Sequence, residues 1–251
     1  MTGFVKSYPG GLRVLDGVSL ILPEGGITAL LGLNGSGKTT TLRAMLGLTS
    51  LEAGTLKVLG RDVDPISSKH RGFFGVVLDE PLYFDWLSAR ESIRLHARMR
   101  KMQERIAAER TEELLEFMGL SEVRHEPIHT YSTGMKKKVS LATAIIHRPP
   151  ILILDEPFEG IDPLAANDIL TTLQLMASKG TAVLITSHIL DTVQKLCNHI
   201  EILHGGKIVL SCPTAEIAAR TVHLGDANGI AGAFFELVST ARQHPPPKFL
   251  T

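Results

Sequence analysis

Short apolar runs and longer amphipathic segments alternate along the chain. Continuous apolar stretches at 27–31, 151–154 and 182–185 have the length that is typical of buried strands. The segments 38–48 and 164–176 have helical character, and each lies between two strand-like runs. Strands that alternate with helices are typical of a parallel sheet covered by helices. The pattern therefore predicts an α/β fold.

Turn residues mark further strands near both ends of this core. We predict strands at 18–22 and 55–59, and the first of them ends at the turn Pro23-Glu24-Gly25-Gly26. Residues 199–211 predict a hairpin whose turn is the pair Gly205-Gly206.

Residues 88–118 combine many charges with apolar side chains at helical spacing, and they contain no glycine or proline. We predict two helices in this segment. Its basic residues alternate with Glu91, Glu104 and Glu109, so a solvated helix face is expected and nucleic-acid binding is the less favoured interpretation. The basic residues are Arg90, Arg94, Arg98, Arg100, Lys101, Arg105 and Arg110.

Composition narrows the class of protein. At 251 residues the chain is long for one average domain and short for two, so we expect one core with an added lobe. The 26 basic residues balance the 26 acidic residues, which excludes an overall field that attracts nucleic acid. No apolar run reaches the ~18–20 residues needed to span a bilayer. The two cysteines, Cys197 and Cys212, are too few for a disulfide framework, and we expect reduced thiols.

A glycine-rich segment follows the first apolar run. Gly32-Leu33-Asn34-Gly35-Ser36-Gly37-Lys38-Thr39 matches the pattern G-x-x-x-x-G-K-[ST] between a strand and a helix, the context in which this pattern binds phosphates. Glycines allow backbone N–H groups to point at the phosphates, and the helix N-terminus adds its positive dipole end. Lys38 is expected to reach the β- and γ-phosphates and Thr39 to bind Mg²⁺, with Thr40 among the nucleotide-binding residues.

Two carboxylates follow the apolar run 151–154. Charge placed there lies at the carboxyl edge of a parallel sheet, where such sheets bind ligands. We expect Asp155 to hold Mg²⁺ and Glu156 to polarise the attacking water.

Three more motifs complete the set: Tyr-Ser-Thr-Gly-Met-Lys-Lys-Lys-Val at 131–139, Gly-Ile-Asp-Pro at 160–163 and Thr-Ser-His at 186–188. With them the chain resembles, over about residues 4–215, the nucleotide-binding subunit of an ATP-binding cassette (ABC) transporter. That family has a phosphate loop, glutamine loop, signature, Walker B motif, D-loop and switch histidine, in this order. Five of the six occur here in the same order.

The resemblance implies roles for individual residues. Ser132 and Gly134 would contact the γ-phosphate of ATP held by the other subunit, His188 would be the switch histidine, and Asp162 would be the D-loop aspartate. Tyr8 lies where the family has an aromatic that stacks on adenine, although a packed surface tyrosine is the alternative. Lys136, Lys137 and Lys138 are expected to form a solvated face at the start of a helix.

The chain departs from the family pattern in three places. Asp79 stands where the family has a glutamine, similar to an acidic variant among bacteriocin-type exporters, and we assign it to the metal site as a hypothesis. The signature reads Ser-Thr-Gly-Met instead of Ser-Gly-Gly-Gln, similar to a subgroup of multidrug, antibiotic-immunity and polysaccharide exporters. The family's first strand normally precedes the Tyr8 region by several residues, and only seven residues precede Tyr8 here, so we expect a start that is truncated or wrongly assigned.

The resemblance implies a P-loop ATPase core with an antiparallel β layer and a helical lobe at about 80–147, all in one domain at 1–215. Residues 216–251 would form an extension with a loose tail from Gln243.

The resemblance also implies an activity: the protein would hydrolyse ATP with Mg²⁺ as a homodimer, or as a heterodimer with a second ATPase subunit. It would drive a transmembrane permease, with export as the expected direction, from the cytoplasmic face of the membrane. For a transporter subunit no nucleic-acid partner is expected. The alternative is a soluble ABC ATPase that acts on ribosomes or DNA.

Overall fold

The computed structural model describes residues 1–64, 68–79, 84–188 and 190–216. The strands in these ranges are β1 (Thr2–Tyr8), β2 (Leu12–Val18), β3 (Ile27–Leu31), β4 (Ala53–Val58), β5 (Arg61–Val63), β6 (Phe74–Val77), β7 (Ile151–Leu154), β8 (Ala182–Ser187), β9 (His199–His204) and β10 (Lys207–Pro213). The helices are α1 (Lys38–Met45), α2 (Ala89–Met99), α3 (Glu104–Phe117), α4 (Thr133–Ile145), α5 (Pro163–Ser178) and α6 (Leu190–Leu196), with 3₁₀ turns at Ser68–Phe73 and Ile128–Thr130.

A six-stranded sheet forms the centre of the fold, in the order β10-β9-β3-β8-β7-β6. Its inner strands are parallel, and β10 joins the edge as the antiparallel partner of β9. A second sheet, in the order β2-β1-β4-β5, is antiparallel. The α/β fold and the antiparallel layer are thereby confirmed.

The central strands are apolar on both faces because they separate two cores. Ala29 and Leu31 of β3 pack with the apolar faces of the helical side, whereas Leu30 packs with the antiparallel sheet and α1. In β7, Leu152 and Leu154 face the first core and Ile153 the second. Continuous apolar runs are the expected pattern for strands buried on both faces.

Most predicted elements match the structure. The strands at 27–31 and 151–154 and the hairpin of β9 and β10 are confirmed, and β8 extends to Ser187. Helix α1 ends before the predicted Leu48 because Gly47 adopts a left-handed conformation with φ 65°. The N–H groups of Gly47 and Leu48 donate to Ala44 and Arg43, which satisfies the last helical carbonyls.

The strand predicted at 18–22 is wrong. The strand β2 ends at Val18, and Ile21 is 80% exposed. The segment 12–18 forms the strand instead, although Gly17 and register shifts in its pairing with β1 weaken the alternating pattern. Residues 2–8 form the first strand and pair with β2 on one side and β4 on the other.

The two helices predicted within 88–118 are confirmed as α2 and α3. A capping box starts α2, in which Ser88 accepts from the N–H of Glu91 and the Glu91 carboxylate accepts from the N–H of Ser88. Several arginines of this lobe form ion pairs with glutamates, as expected for a solvated face: Arg90 with Glu112, Arg94 and Arg98 with Glu104, and Arg105 with Glu109. Arg100 and Arg110 differ, because they donate to backbone carbonyls.

Within the described ranges, none of the helices combines the length and apolar character needed to cross a bilayer. The predicted loose tail lies outside the described residues, as does nearly all of the extension at 216–251.

Candidate active site

The glycine-rich loop connects β3 to α1 at the carboxyl edge of the central sheet. Gly35 and Gly37 adopt left-handed conformations, with φ of 80° and 110°. A Cβ on Gly32 would lie 2.4 Å from Ser36 Oγ and 2.5 Å from the carbonyl oxygen of Leu203. The sequence therefore needs glycine at these three positions to form this loop.

The loop leaves the N-terminus of α1 open. Gly37 precedes α1 and offers no side chain to cap it, so the first N–H groups of the helix are available to an anion. Asn34 and Gly35 are exposed at the tip of the loop, and Thr40 is half-buried in α1. Ser36 Oγ is buried and has no hydrogen-bond partner among the described residues. These features fit a phosphate-binding loop.

Lys38 points back into this loop. Its side chain is buried, and Nζ donates to the carbonyl oxygen of Gly32 at 2.8 Å. The Glu156 carboxylate lies 3.9 Å from the same ammonium. A buried ammonium with one carbonyl and one distant carboxylate as partners has donor capacity left for phosphate oxygens.

Asp155 and Thr39 face each other across the gap between β7 and α1. The Thr39 hydroxyl donates to Asp155 Oδ2 at 3.3 Å, and Thr186 Oγ1 donates to Asp155 Oδ1 at 2.5 Å. The Asp155 carboxylate is buried, while Thr39 is exposed at the surface of the cleft. Hydroxyl and carboxylate oxygens are the ligands that Mg²⁺ prefers, so this pair fits the ion.

Glu156 follows Asp155 in a left-handed conformation, with φ 45°. Its N–H donates to Thr186 Oγ1 at 2.9 Å, and its carbonyl oxygen accepts from Lys137 Nζ at 2.7 Å. The carbonyl also accepts from the N–H of Glu159 at 3.3 Å, which closes a turn. A non-glycine residue in this region costs about 1–3 kcal/mol and persists only where its surroundings hold it. The backbone of Glu156 is therefore held from both sides.

His188 completes the cluster from the end of β8. Its Nδ1 lies 3.0 Å from Glu156 Oε2, and its side chain is 52% exposed. The exposed carboxylate of Glu159 belongs to the same group, since one ligand atom each from Glu156, Glu159 and His188 lie within 4.8 Å of one another. The structure thus brings together Lys38, Thr39, Asp155, Glu156 and His188, as the sequence predicted.

The predicted signature residues lie at the start of α4. Ser132 is exposed and caps the helix by accepting from the N–H of Met135 at 3.3 Å. Gly134 is buried, and α5 approaches it closely. A Cβ there would lie 2.6 Å from Ala165 Cβ and 3.1 Å from Asp162 Oδ2. Asp162 caps α5 by accepting from the N–H groups of Leu164 and Ala165, and these hydrogen bonds hold the pKa of its carboxyl below the usual value.

Tyr8 ends β1 and is 38% exposed. The ammonium of Lys6 lies 5.3 Å from the centre of its ring, a cation–π geometry. The ring is accessible from solvent, as either an adenine-stacking residue or a surface tyrosine would be.

The solvated face predicted for Lys136, Lys137 and Lys138 is wrong for two of the three. Lys137 and Lys138 are each only 9% exposed. Lys137 donates to Glu156, and Lys138 contacts Asp168 Oδ2 at 2.5 Å and donates to the carbonyl oxygen of Met118 at 3.0 Å. Both ammonium groups are tolerated because each donates to a backbone carbonyl, and Lys138 also has a carboxylate partner. Asp79 is exposed, and among the acidic groups that influence the ammonium of Lys137 its charge has the largest effect.

Thr186 and Lys137 are the functional residues that the sequence analysis missed. Thr186 had a visible signal, because it is a polar residue at the end of an otherwise apolar strand, one position before the Ser187-His188 pair. Lys137 had none, since its direction depends on how α4 packs against β6 and α5.

The comparisons with known proteins agree with this site. Residues 15–159, more than half of the chain, match the family described as "ABC transporter". The chain is 37% identical to YdbJ, an uncharacterized ABC transporter ATP-binding protein of Bacillus subtilis, over 79% of this chain and 64% of that protein. It is 32% identical to the linearmycin resistance ATP-binding protein LnrL of Bacillus subtilis, over 86% of this chain and 70% of that protein.

The solved structures agree as well. An ATP-binding subunit of an ABC transporter superposes with a TM-score of 0.84 at 29% identity, covering 94% of this chain and 97% of that one. The chain belongs to the ABC transporter family and has the fold of its ATP-binding subunits. It spans just under two thirds of the length of YdbJ, 64%.

Proposed function

We propose that this chain is the ATP-hydrolysing subunit of an ABC exporter. The observation that carries the proposal is the meeting of Lys38, Asp155, Glu156 and His188 at the open N-terminus of α1. Hydrolysis of a γ-phosphate needs positioning and charge stabilisation more than covalent chemistry, and these residues supply both.

In this proposal, ATP binds with its phosphates in the glycine-rich loop. The N–H groups of the loop and of α1 donate to the phosphate oxygens, and Lys38 turns from the carbonyl of Gly32 to the β- and γ-phosphates. Asn34, Ser36 and Thr40 border the same space, and Tyr8 stacks on the adenine.

Thr39 and Asp155 would hold Mg²⁺, with Asp79 as a further ligand. Their oxygens have the right chemistry, and the distance between the Thr39 hydroxyl and Asp155 Oδ2 is already 3.3 Å. The ion, when bound, neutralises the negative charge that develops on the phosphates.

Glu156 and His188 act on the attacking water and on the γ-phosphate. The Glu156 carboxylate accepts a hydrogen bond from the water and orients it, and His188, in contact with Oε2 of Glu156, donates to the γ-phosphate. Because one carboxylate oxygen faces Lys38 and the other faces His188, the carboxylate has a fixed direction before the nucleotide arrives.

A second subunit completes each site. The exposed Ser132 at the N-terminus of the 13-residue helix α4 offers N–H groups and a hydroxyl to the γ-phosphate bound by the partner. Gly134 allows α4 to lie against Asp162 of the D-loop, so the two interface segments form one surface. The dimer is a homodimer, or a heterodimer with a related ATPase subunit.

Closure of the dimer on ATP would drive a transmembrane permease, and the subunit would lie at the cytoplasmic face of the membrane. Family membership supports this over a soluble ATPase of ribosomes or DNA. The similarity to LnrL, the linearmycin resistance ATP-binding protein, supports export as the direction of transport.

The test is the substitution Glu156→Gln, which keeps the shape of the side chain and removes its charge. We expect ATP binding within about threefold of wild type and a decrease in kcat of at least about a hundredfold, because the amide cannot orient the water as a base does. Trapped ATP should also hold a dimer together on a sizing column. Hydrolysis by Glu156→Gln at the wild-type rate would contradict the proposed role of this residue.

A further inference from the structure

Lys137 is a buried lysine in the first turn of α4, outside the set of residues that touch the nucleotide in the proposed function. Its ammonium donates to the carbonyl oxygen of Glu156 at 2.7 Å. The contact reaches the one residue of the site that has a left-handed backbone without being glycine. Lys137 therefore acts on the backbone that directs the Glu156 carboxylate.

Burial and nearby carboxylates have opposite effects on the pKa of Lys137. Burial lowers the pKa of its ammonium, and the nearby carboxylates of Asp79, Glu159, Glu156 and Asp155 oppose that effect, with Asp79 first among them. Burial of a charge is costly unless opposite charges and hydrogen bonds compensate it.

The N-terminal part of α4, which carries Lys137, is held in place by several contacts. Ser132 caps the helix, Gly134 packs closely against Ala165, and Lys138 of the same turn is paired with Asp168 of α5. The first turn of α4 is therefore held from two sides, and the Lys137 side chain extends from it to Glu156. A side chain anchored in this way can hold a strained neighbour in place.

We propose that Lys137 is a positioning residue that holds Glu156 in its catalytic orientation through its hydrogen bond to the Glu156 carbonyl oxygen. The inference rests on the proposed function, because it concerns the residue that orients the attacking water. A lysine that only stabilised the fold would lower the Tm when replaced and would leave kcat unchanged. A positioning lysine should show the opposite result, because replacing a buried charge with an apolar side chain of similar length is often neutral or stabilising for the fold.

The first experiment compares Lys137→Met with Lys136→Met in the full-length protein. Lys136 lies in the same helical turn but is half-buried, and it serves as the matched control. For Lys137→Met we expect kcat to fall about tenfold or more, with the KM for ATP within about threefold of wild type and an unchanged or higher Tm. Lys136→Met should keep at least half of the wild-type kcat.

Lys137→Arg provides the conservative variant. It keeps a long side chain with a positive donor, so we expect it to retain clearly more kcat than Lys137→Met. Equal kcat for the two variants, or an undiminished kcat for Lys137→Met, would overturn the positioning role. Absence of ATP turnover in the wild type would instead contradict the proposed function, and the inference would fall with it.

Discussion

At the scale of single residues, the site depends on polar groups that hold one another. The N–H of Glu156 donates to Thr186 Oγ1, and its carbonyl oxygen accepts two hydrogen bonds. A basic group lies near each of its carboxylate oxygens. Thr186 also bonds to Asp155, so one hydroxyl fixes two neighbouring acidic residues. Removing one of these partners would free part of Glu156, whose direction matters for the proposed hydrolysis. Glu156 is the residue next to Asp155, the proposed Mg²⁺ ligand.

His147 provides a prediction of pH dependence at the same scale. Burial, and then the charge of Arg100, lower the pKa of its imidazole to about 4 from 6.5. Below pH 6.5 the unfolded chain binds a proton at this residue that the folded chain does not bind, so stability decreases as the pH falls from 6.5 toward 4. The decrease between pH 7.5 and pH 5 should be about 1–2 kcal/mol.

Urea unfolding of wild type and His147→Gln at both pH values measures this contribution. The variant should lose about 1–2 kcal/mol less stability than wild type over the same interval, because glutamine does not titrate. An identical pH dependence of the two proteins would show that the histidine titrates alike in the folded and unfolded states.

At the scale of elements, α4 connects the parts of the site. Its N-terminus carries Ser132, its first turn carries Lys137 against Glu156, and Lys138 ties it to α5 and to the end of α3. Close packing of Gly134 on Ala165 brings the N-termini of α4 and α5 side by side. The signature and D-loop residues thus share one support, although 30 positions of sequence separate Ser132 from Asp162.

The pair of Lys138 and Asp168 gives a prediction about this support. Asp168→Asn leaves the ammonium of Lys138 buried without its counter-charge and should cost about 1–3 kcal/mol of stability. Lys138→Met should cost less, because Asp168 is 33% exposed and water can solvate its carboxylate. Urea unfolding of both variants measures the order of the two effects.

The surface pair of Lys57 and Asp62 is the control for that comparison. Both side chains are more than 60% exposed, so Asp62→Asn should change stability by less than about 0.5 kcal/mol. Two results would contradict the role of Asp168 as the counter-charge of buried Lys138. One is that Asp168→Asn is no more destabilising than Asp62→Asn, and the other is that Lys138→Met is more destabilising than Asp168→Asn.

At the scale of the whole molecule, the proposed sites form between two subunits. The residues proposed to bind phosphate and metal lie at the carboxyl edge of the central sheet, whereas Ser132 is exposed at the N-terminus of α4. In a two-fold symmetric pair, each face of one subunit meets the other face of its partner. Each dimer then contains two equivalent sites, with Lys38 and Ser132 in each site from different subunits.

Mixing of two inactive variants tests this arrangement. A dimer of Ser132→Arg with Lys38→Ala has one site in which all residues are intact, whereas each parent homodimer has none. Equal amounts that pair at random should therefore give about a quarter of the wild-type ATPase rate, if the sites act independently. The parents alone should be inactive, and a mixture that stays inactive with mixed dimers present would contradict sites shared between subunits.

Local patterns in the sequence predicted much of the structure, for identifiable reasons. The runs 27–31 and 151–154 were predicted without error because strands buried on both faces must be apolar throughout. Residues 12–18 were missed because a glycine and register shifts break the alternation in β2. The glycines of the loop were predicted because their spacing reflects the backbone of the loop, which needs a positive φ at Gly35 and Gly37 and leaves no room for a Cβ at Gly32.

The sequence by itself determined the order of strands and helices, the phosphate loop and the acidic pair after β7, since these depend on residues close together in the chain. The tertiary structure alone decided which lysines of the run 136–138 are buried and what they contact. The sequence shows three consecutive lysines near the start of a helix, but the packing of α4 against β6 and α5 turns Lys137 toward Glu156 and Lys138 toward Asp168. Long-range packing sets these directions, because a helix position has a face only when its neighbours in space are known.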